Sequence, residues 1–485
     1  MKFKYIFLIT TLFIFLGCSN DEDGYPNNMV DDYPNQYVSI DSGDADFSTY
    51  VSMGGGLAAG WSDGSLFMAG QMNSFPNIMA GVMSMAGGGE FSQAYVNDNV
   101  GGILIGGVEF WGERQYFDGA GPAGVSGNIS TEATSTIPGP YNNMAFPFVN
   151  AIHMVAPGYG NAAGLAQGLA NPWYVRAASS GNASIIGDAL AQQPTFVSVI
   201  PGDDFSAWAL FGGQGPEVDL TSATGMFAGV GATLQTLGAS VPGGVVTNLP
   251  DPSNTATFNT VPYNSIPLDQ ATADMLNGGF TTYNGGLIAA AAFGLITADE
   301  AAARTIAWAA GDNPILMQDE YLTDLSALGL PPLRQTTAED KVNLFAAPFL
   351  GQTPDPSNPM GIIGITIPAN DFAILSSDEI ATLQSQLATA NGAIAGLVPS
   401  GWALFDLHGL YNEIATTGVF EDDFNMTGDL VFGGFFGLDG YFPTSRGYAL
   451  IAKRMMEAID ATYGSNLSDA GLDIGDYPTN FPDGI

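Results

Sequence analysis

Basic side chains are scarce in this sequence: lysine and arginine together number 10, against 48 aspartates and glutamates, and the formal net charge is −38. Nucleic acid is thereby excluded as a partner, because binding it depends on Lys and Arg neutralising phosphates. Histidine is almost as rare, with His153 and His408 the two present, and cysteine occurs once, at Cys18. Two imidazoles without a spare thiolate leave no basis for a zinc site, and no other cofactor or metal is expected. A lone cysteine closes no intrachain disulfide, so stability has to come from packing. Charge of either sign is thin, at 12% of residues, while 46% are hydrophobic and 64 are glycine. That composition supplies a large core under a neutral surface rich in Gly, Asn and Ser. Beyond Leu16 no apolar run approaches the roughly 20 residues that a membrane-spanning helix needs.

The first residues read as an address. Lys2 and Lys4 precede an apolar run from Tyr5 to Leu16, and Leu16-Gly17-Cys18 follows. The run is too short to cross a bilayer and fits the apolar region of a secretory signal. Cys18 stands where a bacterial lipoprotein signal places its acylated cysteine, although Phe15 departs from the leucine common three residues earlier. Residues 1–17 are therefore expected to be a signal peptide, with Cys18 lipidated and residues 18–36 forming an acidic tether. Ser19-Asn20-Asp21-Glu22-Asp23 resembles the surface-export tag of Bacteroidetes lipoproteins. The expected location is the outer membrane, lipid-anchored and facing the cell surface.

Along residues 37–485, Phe47 to Met53 is a short β-rich run that leads into three glycines, and Leu66 to Met85 has helical content. Gly101 to Phe110 reads as a hairpin strand weakened by its glycines. Thr195-Phe196-Val197-Ser198-Val199-Ile200 is continuously apolar and β-branched, as in a strand buried on both faces of a parallel sheet. It ends at Pro201-Gly202, and loops at such strand ends are where open α/β sheets hold ligands. Helices are expected over Ser222 to Leu237, Ser265 to Asn277, Thr297 to Trp308 and Ser376 to Ala395. Ala403 to Leu407 returns as a strand, and Gly447 to Tyr463 is an amphipathic closing helix.

Three segments then stand out: Gly54-Gly55-Gly56-Leu57, Pro201-Gly202-Asp203-Asp204-Phe205 and Asp439-Gly440-Tyr441-Phe442-Pro443. With Tyr141 to Val149 between the first two, their order and surroundings resemble the GDSL-type (SGNH) hydrolases, in particular the lipoprotein members of the Bacteroidetes. The resemblance spans nearly all of the chain from Tyr37 onward. It implies an SGNH-hydrolase (flavodoxin-like) α/β fold, a parallel sheet flanked by helices, with an α-rich insertion at about 216–400 covering the ligand edge. It also implies where the chemistry belongs. Gly56 holds the place of the nucleophilic serine, and a glycine forms no acyl intermediate. Phe148 stands where a glycine lends its N–H to an oxyanion. Asp204 stands where an asparagine donates its amide, and an ionised carboxylate cannot donate. Phe442 replaces the general-base histidine, while Asp439 retains the accompanying aspartate.

With nucleophile, base and both oxyanion donors replaced, the resemblance implies a pseudoenzyme that no longer hydrolyses esters. The expected role is that of an accessory or structural subunit docked to an outer-membrane β-barrel or multiprotein complex. The alternative is a glycan- or lipid-binding lipoprotein that uses the old cleft, and a third is an esterase with displaced catalytic residues. The glycine run could also cradle phosphate, but it lacks the Gly-Lys-Ser/Thr ending of a P-loop. His153 and His408 are expected to be structural. The pairs Asp203/Asp204 and Asp422/Asp423 could hold a cation or act as acid and base, against the plain alternative that adjacent aspartates are common in so acidic a chain.

Overall fold

Five short segments with almost no exposed side chain form the centre of the structure. They are β1 (Tyr50–Gly54), β2 (Asn143–Ala145), β3 (Phe196–Val199), β4 (Gly243–Thr247) and β5 (Ala403–Phe405). Burial on both faces is what a parallel sheet demands, and it explains their runs of Val, Phe and Met. All neighbouring strands are parallel, in the spatial order β5-β4-β3-β1-β2. The chain moves from β1 outward to β2 and then returns to the other side of β1 for β3. The strand order therefore reverses beside β1, and the loops leaving β1 and β3 open a crevice at that point. This computed structural model describes residues 38–137 and 139–485, and from Ile40 onward they form one unit. The segment 1–36, with Cys18 and the expected signal and tether, lies outside the described residues.

Helices flank the sheet. α1 (Phe75–Met83) packs against the closing helix, while α2 (Ile185–Leu190), α3 (Met226–Ser240) and α4 (Ser377–Leu397) pack together through α3. The closing helix, α5 (Ser445–Tyr463), crosses β4 and β5 and fully buries Leu450, Ile451, Met455 and Ile459. Thr444 caps its start by accepting the Gly447 N–H at 3.0 Å, as N-cap preference dictates. At its end the Tyr463 hydroxyl accepts the Gly244 N–H at 2.7 Å and donates to the Gly244 carbonyl at 2.9 Å. α4 opens with the expected capping box, Ser376 and Glu379 each satisfying the other's backbone N–H.

The expected insertion at 216–400 needs correction. β4 lies inside that range and is the fourth strand of the central sheet, and α3 and α4 belong to its helical cover. β4 was hidden because its first residues are glycines, which weaken a strand. Here glycine is required: a Cβ on Gly244 would sit 2.6 Å from the Trp402 ring and 2.8 Å from the Val197 carbonyl oxygen. The true excursion runs from about residue 260 to 375, and it is not predominantly helical. It contains three two-stranded antiparallel ladders, Ile266–Leu268 with Gly311–Asn313, Leu316–Gln318 with Leu333–Gln335, and Lys341–Val342 with Ile374–Leu375. Its own small core includes Ile266, Leu276, Trp308, Ile315, Leu316 and Ile374. The helix expected at Ser265 to Asn277 begins later, capped by Asp269, and extends over Gln270–Ala292.

Arg334 is the electrostatic centre of this excursion. Its guanidinium is buried, bonds Asp319, and holds both oxygens of Asp340 at 2.6 and 2.8 Å. Asp340 in turn accepts the Ser377 N–H at 2.9 Å, which ties the excursion to α4. Arg334→Ala leaves two buried carboxylates without a counter-ion, so a loss of about 3–5 kcal/mol is expected in urea unfolding; a loss under about 1 kcal/mol would show that water enters and replaces the guanidinium.

Candidate functional site

The reversal in strand order brings together the loops after β1, β2 and β3, and with them most of the residues singled out in the sequence. The first loop turns at Gly55 into the single helical turn Gly56–Ala59. The Gly56 N–H points across the crevice and donates to Asp203 Oδ2 at 2.8 Å. From the loop after β2, the Phe148 N–H donates to the same oxygen at 2.9 Å. Two converging backbone donors are the arrangement that stabilises a developing oxyanion in acyl transfer. In this protein an internal carboxylate already occupies them.

This geometry corrects the expected register by one residue. Asp203, not Asp204, faces the donor pair, and its backbone N–H is held by the Val149 carbonyl at 2.9 Å. Asp204 turns aside to accept the Ala151 N–H at 2.8 Å. The two aspartates therefore serve separate backbone partners. Burial pushes Asp203 up to about 7 and Asp204 up to about 6; the backbone N–H groups work against this shift. Gly55 makes room for the carboxylate, since a Cβ there would lie 2.0 Å from Asp203 Oδ1.

Phe148 has φ of +61°. Glycine takes that conformation freely, whereas in a bulky residue it stores roughly 1–3 kcal/mol of strain. The backbone at this position is thus shaped for glycine, and the surrounding aromatic packing holds the phenylalanine in it. Its ring centroid is 4.8 Å from that of Trp111, 5.3 Å from Trp61 and 5.9 Å from Trp173.

Phe442 closes the site from the other side. Its ring atoms would lie 2.8 and 2.9 Å from a Cβ placed on Gly56, so the ring fills the volume a side chain at 56 would need. The loop carrying it is held by Asp439, which is buried. One oxygen accepts the N–H groups of Tyr441 and Phe442 at 2.8 Å each, and the other accepts the Gly64 N–H at 2.8 Å. Burial raises the Asp439 carboxyl above its ordinary value. Asp439 therefore acts as a backbone clamp.

Neither histidine joins this group. His153 Nδ1 accepts the Asn150 N–H at 3.1 Å, and its ring stacks on Tyr159 at 4.3 Å, with burial lowering its affinity for a proton. His408 contacts the Leu249 carbonyl at 3.2 Å, beside a separate cavity lined by asparagines. Among the described residues neither imidazole hydrogen-bonds a serine hydroxyl. Of the second aspartate pair, Asp422 is engaged by Lys453 at 2.8 Å.

Beside Phe148 and Phe442 lies a feature that the sequence did not announce, an open cavity of about 470 Å³. Trp61, Phe148 and Phe442 line it from loops and Trp111 from the hairpin 103–111, and Phe345, Phe349 and Phe372 come from the excursion. At its mouth Phe211 is 49% exposed and Phe349 59%. Their wide separation in sequence left no local pattern to read. Comparison with protein-family models, with curated proteins and with solved structures finds no match to this chain.

Two outcomes test this geometry. In the folded chain Asp203 is raised to about 7 from its ordinary 3.8, so folding favours the protonated acid. The stability this contributes is complete below about pH 4 and is lost as pH rises through 7. Asp203→Asn keeps an acceptor for both N–H groups and cannot ionise. Its urea midpoint should therefore gain on the wild type between about pH 4 and 8, and a pH-independent difference would contradict the buried placement. Gly56→Ser should destabilise by about 1–3 kcal/mol through overlap with the Phe442 ring, and by clearly less in a Phe442→Ala background.

Proposed function

We propose that this chain is a non-catalytic binding protein with an SGNH-hydrolase-like fold, anchored to the outer membrane through Cys18, that takes an apolar ligand group such as an acyl chain. The single observation that carries the reading is the pairing of a filled donor site with an open aromatic cavity. Asp203 Oδ2 occupies the Gly56 and Phe148 N–H groups, Phe442 covers Gly56, and Phe148 and Phe442 also line about 470 Å³ of aromatic-walled space. A substrate carbonyl would find neither a nucleophile nor free donors. An apolar group would find ring faces from both the loops around the crevice and the excursion. The strand switch point is also where open α/β sheets hold their ligands.

An acyl chain suits the cavity better than a sugar. Sugar sites pair aromatic faces with hydrogen-bonding groups. Here Asp439, the carboxylate in the wall, is already committed to three backbone N–H groups. A specific observation also favours a second reading, an accessory subunit of an outer-membrane barrel complex. The end of the helix Gln270–Ala292 and the residues after it leave Ile288, Phe293 and Leu295 exposed, at 68%, 83% and 51%. Exposed apolar groups of this kind suit protein contacts.

Trp61 and Trp111 in the cavity wall provide the readout. Titration with a medium-chain fatty acid should give a saturable change in tryptophan emission. Phe349→Asp and Phe211→Asp, both at the exposed mouth, should weaken binding by about tenfold each, the equivalent of roughly 1.5 kcal/mol of lost apolar contact. No saturable change, or turnover of a short-chain nitrophenyl ester that disappears on denaturation, would sink the reading. Co-purification with a defined barrel, lost on Phe293→Asp, would favour the accessory subunit instead.

A further inference from the structure

Three carboxylates from separate parts of the chain converge beside the excursion: Glu320, Asp371 and Glu379. Glu320 follows the strand Leu316–Gln318, Asp371 opens the 3₁₀ turn Asp371–Ala373, and Glu379 lies in the first turn of α4. One oxygen from each lies within 4.8 Å of the other two. Oxygens that ligate one calcium ion at about 2.3–2.6 Å stand up to roughly 5 Å apart, so a single ion can reach all three. None of the ion pairs among the described residues involves these side chains.

A group of acids in so acidic a chain would mean little by itself, but Glu379 supplies a second and independent observation. It is 2% exposed, and one of its oxygens accepts the Ser376 N–H at 2.7 Å as part of the helix cap. The other, Oε1, is buried without a hydrogen-bond partner among the described residues and lies on the side of Gly213, where a Cβ would fall 2.2 Å from it. A buried carboxylate oxygen without a donor carries a large desolvation penalty, and such orphans call for a missing partner. Its neighbours in the cluster are also acceptors. The partner that satisfies all three at once is a cation.

We propose that Glu320, Asp371 and Glu379 form a calcium site. All three donors are hard carboxylate oxygens, there is no imidazole or thiolate in the set, and Glu320 is exposed enough to leave coordination positions for water, all of which suits Ca²⁺. Magnesium demands a tighter and near-ideal octahedron that three carboxylates on separate segments do not supply. The ion would fasten the excursion at Glu320 and the turn at Asp371 to the start of α4. The site stands independently of any ligand in the aromatic cavity, since none of its donors lines that cavity.

Trp208 makes the test direct. Its ring lies 3.2 Å from the same Gly213 Cβ position that is 2.2 Å from Glu379 Oε1, close enough to sensitise a bound lanthanide. After dialysis against EDTA, the full chain should show terbium luminescence on tryptophan excitation, competed away by Ca²⁺, together with a rise in Tm on adding Ca²⁺. Glu379→Gln keeps an acceptor for the Ser376 cap and should abolish both signals. Glu320→Gln, at an exposed position, should weaken calcium binding by about tenfold or more without changing the calcium-free Tm. The proposal is overturned if neither signal appears at about 10 mM Ca²⁺, roughly ten times the weakest affinities of extracellular calcium modules. It is equally overturned if both variants respond like the wild type, or if Mg²⁺ raises Tm as much as Ca²⁺ does.

Discussion

Asp203 Oδ2 receives the backbone N–H groups of Gly56 and Phe148 and so joins the loops that leave the first three strands of the sheet. The first of these loops has no side chain with which to brace the others, because Gly54, Gly55 and Gly56 are bare backbone. The carboxylate is thus both fastener and plug. It satisfies donors that would otherwise be buried without acceptors, at a cost that shows in its own raised pKa. The aromatic groups packed over it, Trp61, Phe148 and Phe442, then find a rigid floor.

Much of the architecture could be read from the residues because the central strands are of the kind that sequence shows best. Thr195 to Ile200 is apolar and β-branched without interruption, and the strand Phe196–Val199 lies within it. The capping pattern at Ser376 to Glu379 and the periodic face of Gly447 to Tyr463 likewise correspond to helices seen in the structure. What escaped depended on tertiary contact. β4 begins with two glycines, and the need for the second, Gly244, comes from Trp402 and Val197, distant in sequence. The helix Gln270–Ala292 runs through Gly278, Gly279, Gly285 and Gly286, a composition that local propensity alone would break.

The site was legible in outline and not in detail. Gly56, Phe148, Phe442 and Asp439 were marked by position, and the structure gathers them at one crevice. Which of two adjacent aspartates turns inward is decided by backbone direction at Gly202, with φ of +111°, and nothing in the order of residues states that. The aromatic cavity was invisible for another reason. Its walls come from eight phenylalanines and tryptophans spread over most of the chain, and apart from Phe148 and Phe442 none of them stands out among 30 phenylalanines and six tryptophans. The carboxylate trio beside α4 is the same problem in acidic form, three single residues among 48 acids.

The close contact between Gly56 and the Phe442 ring also governs how this protein can change. A side chain introduced at 56 meets the Phe442 ring, and one at 55 meets the Asp203 carboxylate. A side chain at either position is therefore accommodated with less loss of stability once its distant neighbour, Phe442 or Asp203, has become smaller. Interlocked in this order, the two glycines and their distant partners work as a ratchet.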